Sequence, residues 1–337
     1  MRAGVFLAYW PWFTPAEQVD LAVLADRLGL DSAWVAEAWG QDAVSVLGLL
    51  AGKTDRIGLG SGLMQIPART PTATAMAAAT LDVLSEGRFR LGLGLSGPQV
   101  SEGWYGVPFT RNLTRTREYV DVVRRTLARE KILMDADGGT GLGKALKLLT
   151  RPVQDPLPIY LGAIGPKAVR QAGALADGWL PFMLDPTEPE TLLGPLREGA
   201  LEAGRALEDI DIAPVVPLAV DEDLDAARAA VRPWLAFYLG SMGAKDKNFY
   251  VDLAERQGHG AAARRVQELG LAGDRAGAVA AVSDGLVDAG AIATTPAGLD
   301  ERLATYERAG VTTLVAVPCG DDKPGVLRAL AAATVTR

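Results

Sequence analysis

The sequence predicts an α/β protein, a (β/α)8 TIM barrel with insertions at its C-terminal face. Three observations carry this expectation. Short β-rich apolar runs alternate with amphipathic helical patterns along the chain, and parallel strands require such crossover helices. Eight such runs can be counted, the number that closes a parallel barrel. The 337 residues, 49% of them hydrophobic, suffice for one large core, and no Ser/Pro-rich linker marks a second domain. A single domain over 1–337 is therefore expected, with insertions at about 131–155 and 221–288.

The elements follow in order. Gly4 to Tyr9 is the first strand, and a Pro/aromatic loop from Trp10 to Phe13 follows it. Thr14 caps the first helix, Pro15 takes its first position and Glu17 completes a capping box; Gly29 stops it after Leu28. Ala33 to Ala36 is the second strand, leading through Glu37-Ala38-Trp39 to a helix over Asp42 to Ala51. Arg56 to Gly60 is the third, followed by Ser61-Gly62-Leu63-Met64 and a helix from Pro71 to Leu84. The small residues of that helix (Ala73, Ala75, Ala77, Ala78, Ala79) would let another helix approach closely. Phe89 to Leu93 is the fourth strand, with the loop GLSGPQVSEGWYGVPF and a helix near Thr114 to Glu130 after it. The first insertion, with the Gly-rich DADGGTGLGKALK, interrupts the repeat. Strand five is Ile159 to Leu161, followed by the turn Gly162 to Pro166, an amphipathic helix and strand six at Gly178-Trp179-Leu180. Ile212 to Ala219 is the seventh strand, a helical insertion rich in Ala and charge follows, and a helix from Leu299 to Ala309 precedes strand eight, Thr312 to Val317, and a last helix.

Composition narrows the function. A formal net charge of −7 and the lack of a long basic run argue against a nucleic-acid partner. One cysteine, Cys319, excludes an internal disulfide framework, and one histidine, His259, excludes a zinc site built from several His and Cys ligands. The opening MRAGVFLAYWPWF lacks the order of a secretory signal, and no clean run is long enough to span a bilayer, so a soluble, cytoplasmic protein is expected.

In a parallel barrel the working face is formed by the C-terminal ends of the strands. The segments placed there are Tyr9 to Phe13, Glu37 to Trp39, Gly62 to Gln65, Ser96 to Tyr105, Gly162 to Lys167, Pro181 to Met183 and Pro318 to Gly320. They are mostly apolar, aromatic and glycine-rich, which suits a large flat ring better than a hydrolytic site. No Ser/His/Asp arrangement can be assembled, since His259 falls in the helical insertion. The turn after strand five admits two readings. Its small residues let backbone N–H groups approach a phosphate at a helix start opened by Pro166, or they serve only the packing of a βα connection.

The order and content of WVAEAWG, IGLGSGLMQIPARTPTATAMAAATLDVLSEGRFRLGLG, SGPQVSEGWYGVPF, TGLGKALK and PIYLGAIGPKAVRQAGALADGWLP resemble the bacterial luciferase-like monooxygenase superfamily. Within it, the chain is similar to the branch of oxidoreductases dependent on the deazaflavin coenzyme F-420, an 8-hydroxy-5-deazaflavin. The similarity runs from Gly4 to about Pro318 and is weakest in the helical insertion. It implies hydride transfer to or from a small organic substrate. It further implies a non-proline cis peptide at Gly62-Leu63 behind the tricyclic ring, and a phosphate cradle on Gly162, Ala163, Ile164, Gly165, Pro166 and Lys167, with Ser96 and Gly97 completing the cofactor-binding set. The coenzyme's acidic tail would want cations at the rim, for which Lys144, Lys147 and Lys167 are placed; Arg111 reads better as a solvated charge.

The sequence departs from the branch in one respect. Many members carry an acid-His pair after strand two, and here the matching residues are Glu37 and Ala38. The catalytic candidates left are Trp39, as ring wall or indole donor, Glu37, if burial raises its pKa, and Glu102. Against these stand plainer roles: Glu37 as a holder of backbone donors at a strand end, Glu102 as a solvated charge. Two other functions stay open, a flavin mononucleotide (FMN)-dependent monooxygenase served by a separate flavin reductase, and a non-catalytic binding barrel. A homodimer is expected, with no nucleic acid or membrane among the partners.

Overall fold

The computed structural model describes residues 1–9, 12–135, 139–243 and 245–335. Trp10 and Pro11 of the Pro/aromatic loop, and positions 136–138 of the Gly-rich stretch, lie outside the described residues. Eight parallel staves form the core: β1 (Arg2–Leu7), β2 (Ser32–Val35), β3 (Gly58–Ser61), β4 (Phe89–Gly94), β5 (Ile159–Leu161), β6 (Gly178–Trp179), β7 (Val215–Val220) and β8 (Thr313–Pro318). From β1 to β6 each pairs with the next, β7 pairs with β8, and β8 pairs with β1. Closure comes through one stretch. Asp211–Ile212 pairs with β6, and β7, three residues on, pairs with β8. Val215 N–H donates to the Pro181 carbonyl at 2.8 Å across the same seam.

The barrel interior is filled by side chains, as eight strands require. Trp34 and Tyr160 stand on strands that are not neighbours, yet their rings meet at 4.9 Å, so both point inward. Each faces a glycine in register on the adjacent strand, Gly60 beside Trp34 and Gly178 beside Tyr160. A Cβ at either glycine would lie 2.2 Å from the indole or 2.0 Å from the phenol ring. These glycines thus serve ring packing.

Capping chemistry sets the helices. Thr14 closes the expected capping box with Glu17, Pro15 opens the Pro15–Leu28 helix, and Gly29 ends it in the left-handed region at φ 78°. Asp42 caps Ala43–Ala51 and Thr70 caps Pro71–Leu84. The sequence pattern does not show the short Pro98–Gly103 helix, the Glu190–Glu202 helix with Pro195 inside it, or a parallel strand, Ile292–Thr294, added to the upper end of β7. The first insertion forms a small antiparallel hairpin, Lys131–Ile132 with Leu146–Lys147. The second contains the helices Leu224–Ser241, Phe249–Arg256, Gly260–Leu271, Arg275–Ala280 and Asp284–Gly290. Among the described residues no helix is long and apolar enough to cross a membrane.

Candidate functional site

A cleft of about 410 Å3 opens at the C-terminal ends of the staves. Its barrel-side wall comes from the turns after β2 to β5: Trp39, Gly62, Leu63, Ser96, Gly97, Gly162, Ala163, Ile164 and Gly165 all line it. The Gly62-Leu63 peptide is cis. Leu63 is then received by two glycines: a Cβ at Gly94 would stand 2.7 Å from Leu63 Cδ1, and one at Gly162 only 2.1 Å. Gly162 therefore makes room for Leu63, a packing role, whereas a Cβ at Gly165 meets nothing within 4 Å and would project into open space. The turn is held from below by Trp179, whose indole N–H donates to the Ala163 carbonyl at 2.9 Å. Pro166 takes the first position of the Pro166–Leu175 helix, and Lys167 beside it is exposed; neither lines the cleft.

The acidic candidates take other positions. Glu37 is 8% exposed and absent from the lining. One of its oxygens accepts from Gln65 N–H (3.0 Å) and Arg69 Nη1 (2.6 Å), the other from Ala43 N–H (3.1 Å) and Arg69 Nη2 (2.8 Å). With both oxygens doubly engaged, Glu37 is an anchor for a helix start, the segment after Leu63 and a guanidinium, and not a proton donor to the cleft. Burial alone would lower the Arg69 pKa, but hydrogen bonds and charge from Glu37, then Asp42, raise it. Glu102 is exposed and accepts from Phe109 N–H at 2.9 Å, fixing the loop that brings Phe109 to the lining. Trp39 does reach the site, half-exposed at 49%. Lys144 and Lys147 sit exposed on or beside the hairpin and do not line the cleft.

A different cation approaches the turn. Arg256, the last residue of Phe249–Arg256, donates to the Ile164 carbonyl at 2.8 Å, and burial pulls its pKa down against a smaller opposing effect of Asp252. The second wall of the cleft comes from Phe182 after β6 and from the helical insertion, with Tyr238, Met242, Phe249 and Tyr250. Asn112, at the start of Asn112–Leu127, also lines the cleft, and its buried Oδ1 has no hydrogen-bond partner. The sequence carries one signal for this wall: Trp234, Phe237 and Tyr238 recur at helical spacing, an aromatic face on an insertion helix. No charged side chain lines the cleft among the described residues, and no group of His, Cys, Asp or Glu among them could hold a metal ion.

The arrangement matches known proteins over most of its length. A sequence model of the family described as luciferase-like monooxygenase matches residues 1–313. A protein of Mycobacterium tuberculosis provisionally named a coenzyme F-420-dependent oxidoreductase is 41% identical, over 94% of both chains. The 5,10-methylenetetrahydromethanopterin reductase of Methanolobus tindarius is 31% identical over 94% of this chain and 96% of its own. Among solved structures, the coenzyme F-420-dependent tetrahydromethanopterin reductase of Methanopyrus kandleri superposes with a TM-score of 0.85 at 28% identity, covering 99% of this chain and 98% of that one.

Proposed function

This chain belongs to the luciferase-like monooxygenase family, and from that premise we propose that it is an oxidoreductase transferring a hydride between coenzyme F-420 and a small organic substrate. The observation that carries the reading is the cleft: uncharged, backed by Leu63, and edged by a turn whose Gly165 offers bare backbone to open space. The buried, unpartnered Asn112 Oδ1 also suits a polar cofactor atom. The relatives named above, two of them carrying this coenzyme in their names, support the same assignment.

When bound, the deazaflavin supplies a carbon in its central ring that gives or takes a hydride. In this reading Leu63 supports the ring from behind. The N–H groups at the start of Pro166–Leu175 hold the phosphate, helped by the helix dipole, and Arg256 adds a cation beside them. The apolar lining keeps water from the reacting atoms. Calorimetry with the deazaflavin and with FMN, side by side, tests the assignment. The deazaflavin should bind more tightly, and its affinity should fall with salt because its tail is acidic; FMN binding about tenfold tighter would overturn it. A symmetric homodimer in the cytoplasm belongs to the same reading.

A further inference from the structure

Beyond the barrel-side turns, the cleft is walled by aromatic rings. Phe182 and Tyr238 have centroids 4.3 Å apart, Tyr238 and Tyr250 5.0 Å, and Phe182 and Tyr250 5.6 Å. Tyr9, just after β1, is buried and off the lining; its hydroxyl approaches that of Tyr238, outside full hydrogen-bond geometry but near enough to raise the Tyr238 pKa while its own is lowered by the contact. An ionic substrate would have to shed water here with no counter-ion among the described lining residues, at a cost of several kcal/mol. A neutral one meets hydrophobic surface and phenol O–H groups. Such a wall selects for an apolar body bearing a single hydrogen-bond acceptor.

We propose that the cleft takes a neutral, apolar carbonyl compound, a ketone or aldehyde, and that Tyr238 holds its oxygen and protonates it as the carbonyl carbon is reduced. This rests on the hydride-transfer reading above, with the reduced deazaflavin as the reductant. The carbonyl carbon gains a C–H bond from the incoming hydride, the C=O π pair moves onto oxygen, and that oxygen takes the phenol proton; an alcohol is formed and the cofactor is oxidised. The phenolate left on Tyr238 recovers its proton from water at the mouth of the cleft. Burial, then the neighbouring Tyr9 and Tyr250, holds Tyr238 well above the ordinary phenol range, so it is a neutral donor at physiological pH. Burial also raises Tyr250, and it pushes Tyr9 up to about 12. Tyr238 lines the cleft with Tyr250 against its ring at 5.0 Å, whereas Tyr9 does not reach the lining.

Calorimetric titration of acetophenone, and of the hydrocarbon ethylbenzene of nearly the same shape, tests the assignment in the protein with and without bound deazaflavin. Wild type should prefer acetophenone. Tyr238→Phe should weaken acetophenone by about fivefold while leaving ethylbenzene and the deazaflavin within about twofold. Glucose 6-phosphate, an anionic probe, should bind at least about tenfold more weakly than acetophenone. In the loaded enzyme the same variant should lower kcat for ketone reduction by about a hundredfold. Equal losses with both aromatic ligands would reduce Tyr238 to a space-filler, and no loss, or no preference for acetophenone in the wild type, would remove the oxygen contact; each overturns the proposal. Failure of deazaflavin binding alone would instead strike the cofactor assignment, because the acetophenone series on the cofactor-free protein reads the tyrosine independently.

Discussion

Two glycines three residues apart divide the labour of one turn. Gly162 is compelled by Leu63, because a Cβ there would approach Cδ1 to 2.1 Å, whereas Gly165 faces open space. Gly162→Ala is therefore expected to push the Leu63 side chain out of its seat toward the cleft it lines, lowering stability by about 1 kcal/mol, seen as a reduced melting temperature. Gly165→Asp should leave the melting temperature unchanged and abolish deazaflavin binding, by repulsion and by filling the place of the phosphate. Lys167→Ala should weaken binding by no more than about threefold, as an exposed charge contributes little. Normal cofactor affinity in Gly165→Asp at an unchanged melting temperature would make the turn a plain βα connection. The sequence shows both glycines in the turn but not their difference, which depends on a leucine about a hundred residues earlier in the chain.

The small residues of the Pro71–Leu84 helix suggest a face for another helix, and in the structure three of them are buried inside the chain's own fold. Ala75, Ala78 and Ala79 are buried toward the chain's own barrel. The outward face instead carries Met76, Val83 and Leu84, with Leu49 exposed on the Ala43–Ala51 helix packed beside it. Met76 is 57% exposed and Val83, seven residues on and on the same helical side, is exposed with Leu84 (56%) beside it, which is costly to leave in water. This face supports the proposed homodimer. The double variant Met76→Glu, Leu84→Glu should shift the light-scattering mass from dimer to monomer without unfolding, and a wild-type monomer at micromolar concentration would refute the dimer. Helix boundaries were legible wherever Thr, Asp, Pro and Gly punctuate them, as at Thr14 to Gly29. They were not where a short strand such as Ile292–Thr294 is made by pairing alone. The barrel-side wall of the cleft could be read because it lies in turns that follow strands. Tyr238 and Tyr250 could not, because their place depends on how a helical insertion folds back over the barrel.

For the molecule as a whole, the tyrosines form a common device. The chain has seven, and all seven are held above the ordinary phenol value with burial as the leading cause; Tyr9 and Tyr119 are pushed up to about 12. Unfolded phenols ionise near 10. A pKa raised in the folded state contributes stability that is intact below about 10 and lost as pH rises through the folded values. Urea midpoints should thus hold steady to about pH 9 and fall steeply above 10, with phenolate absorbance appearing together with unfolding; a gradual phenolate titration centred near 10 in the folded protein would contradict this. The cleft itself has a mixed parentage. One wall belongs to the turns of the barrel, the other, apart from Phe182, to a contiguous helical segment fastened to the barrel by Arg256 at the Ile164 carbonyl and by Gln257 at the Met183 carbonyl, 2.9 Å away. Changes confined to one uninterrupted stretch, 221–288, can therefore recast much of what the barrel accepts while its own turns stay as they are.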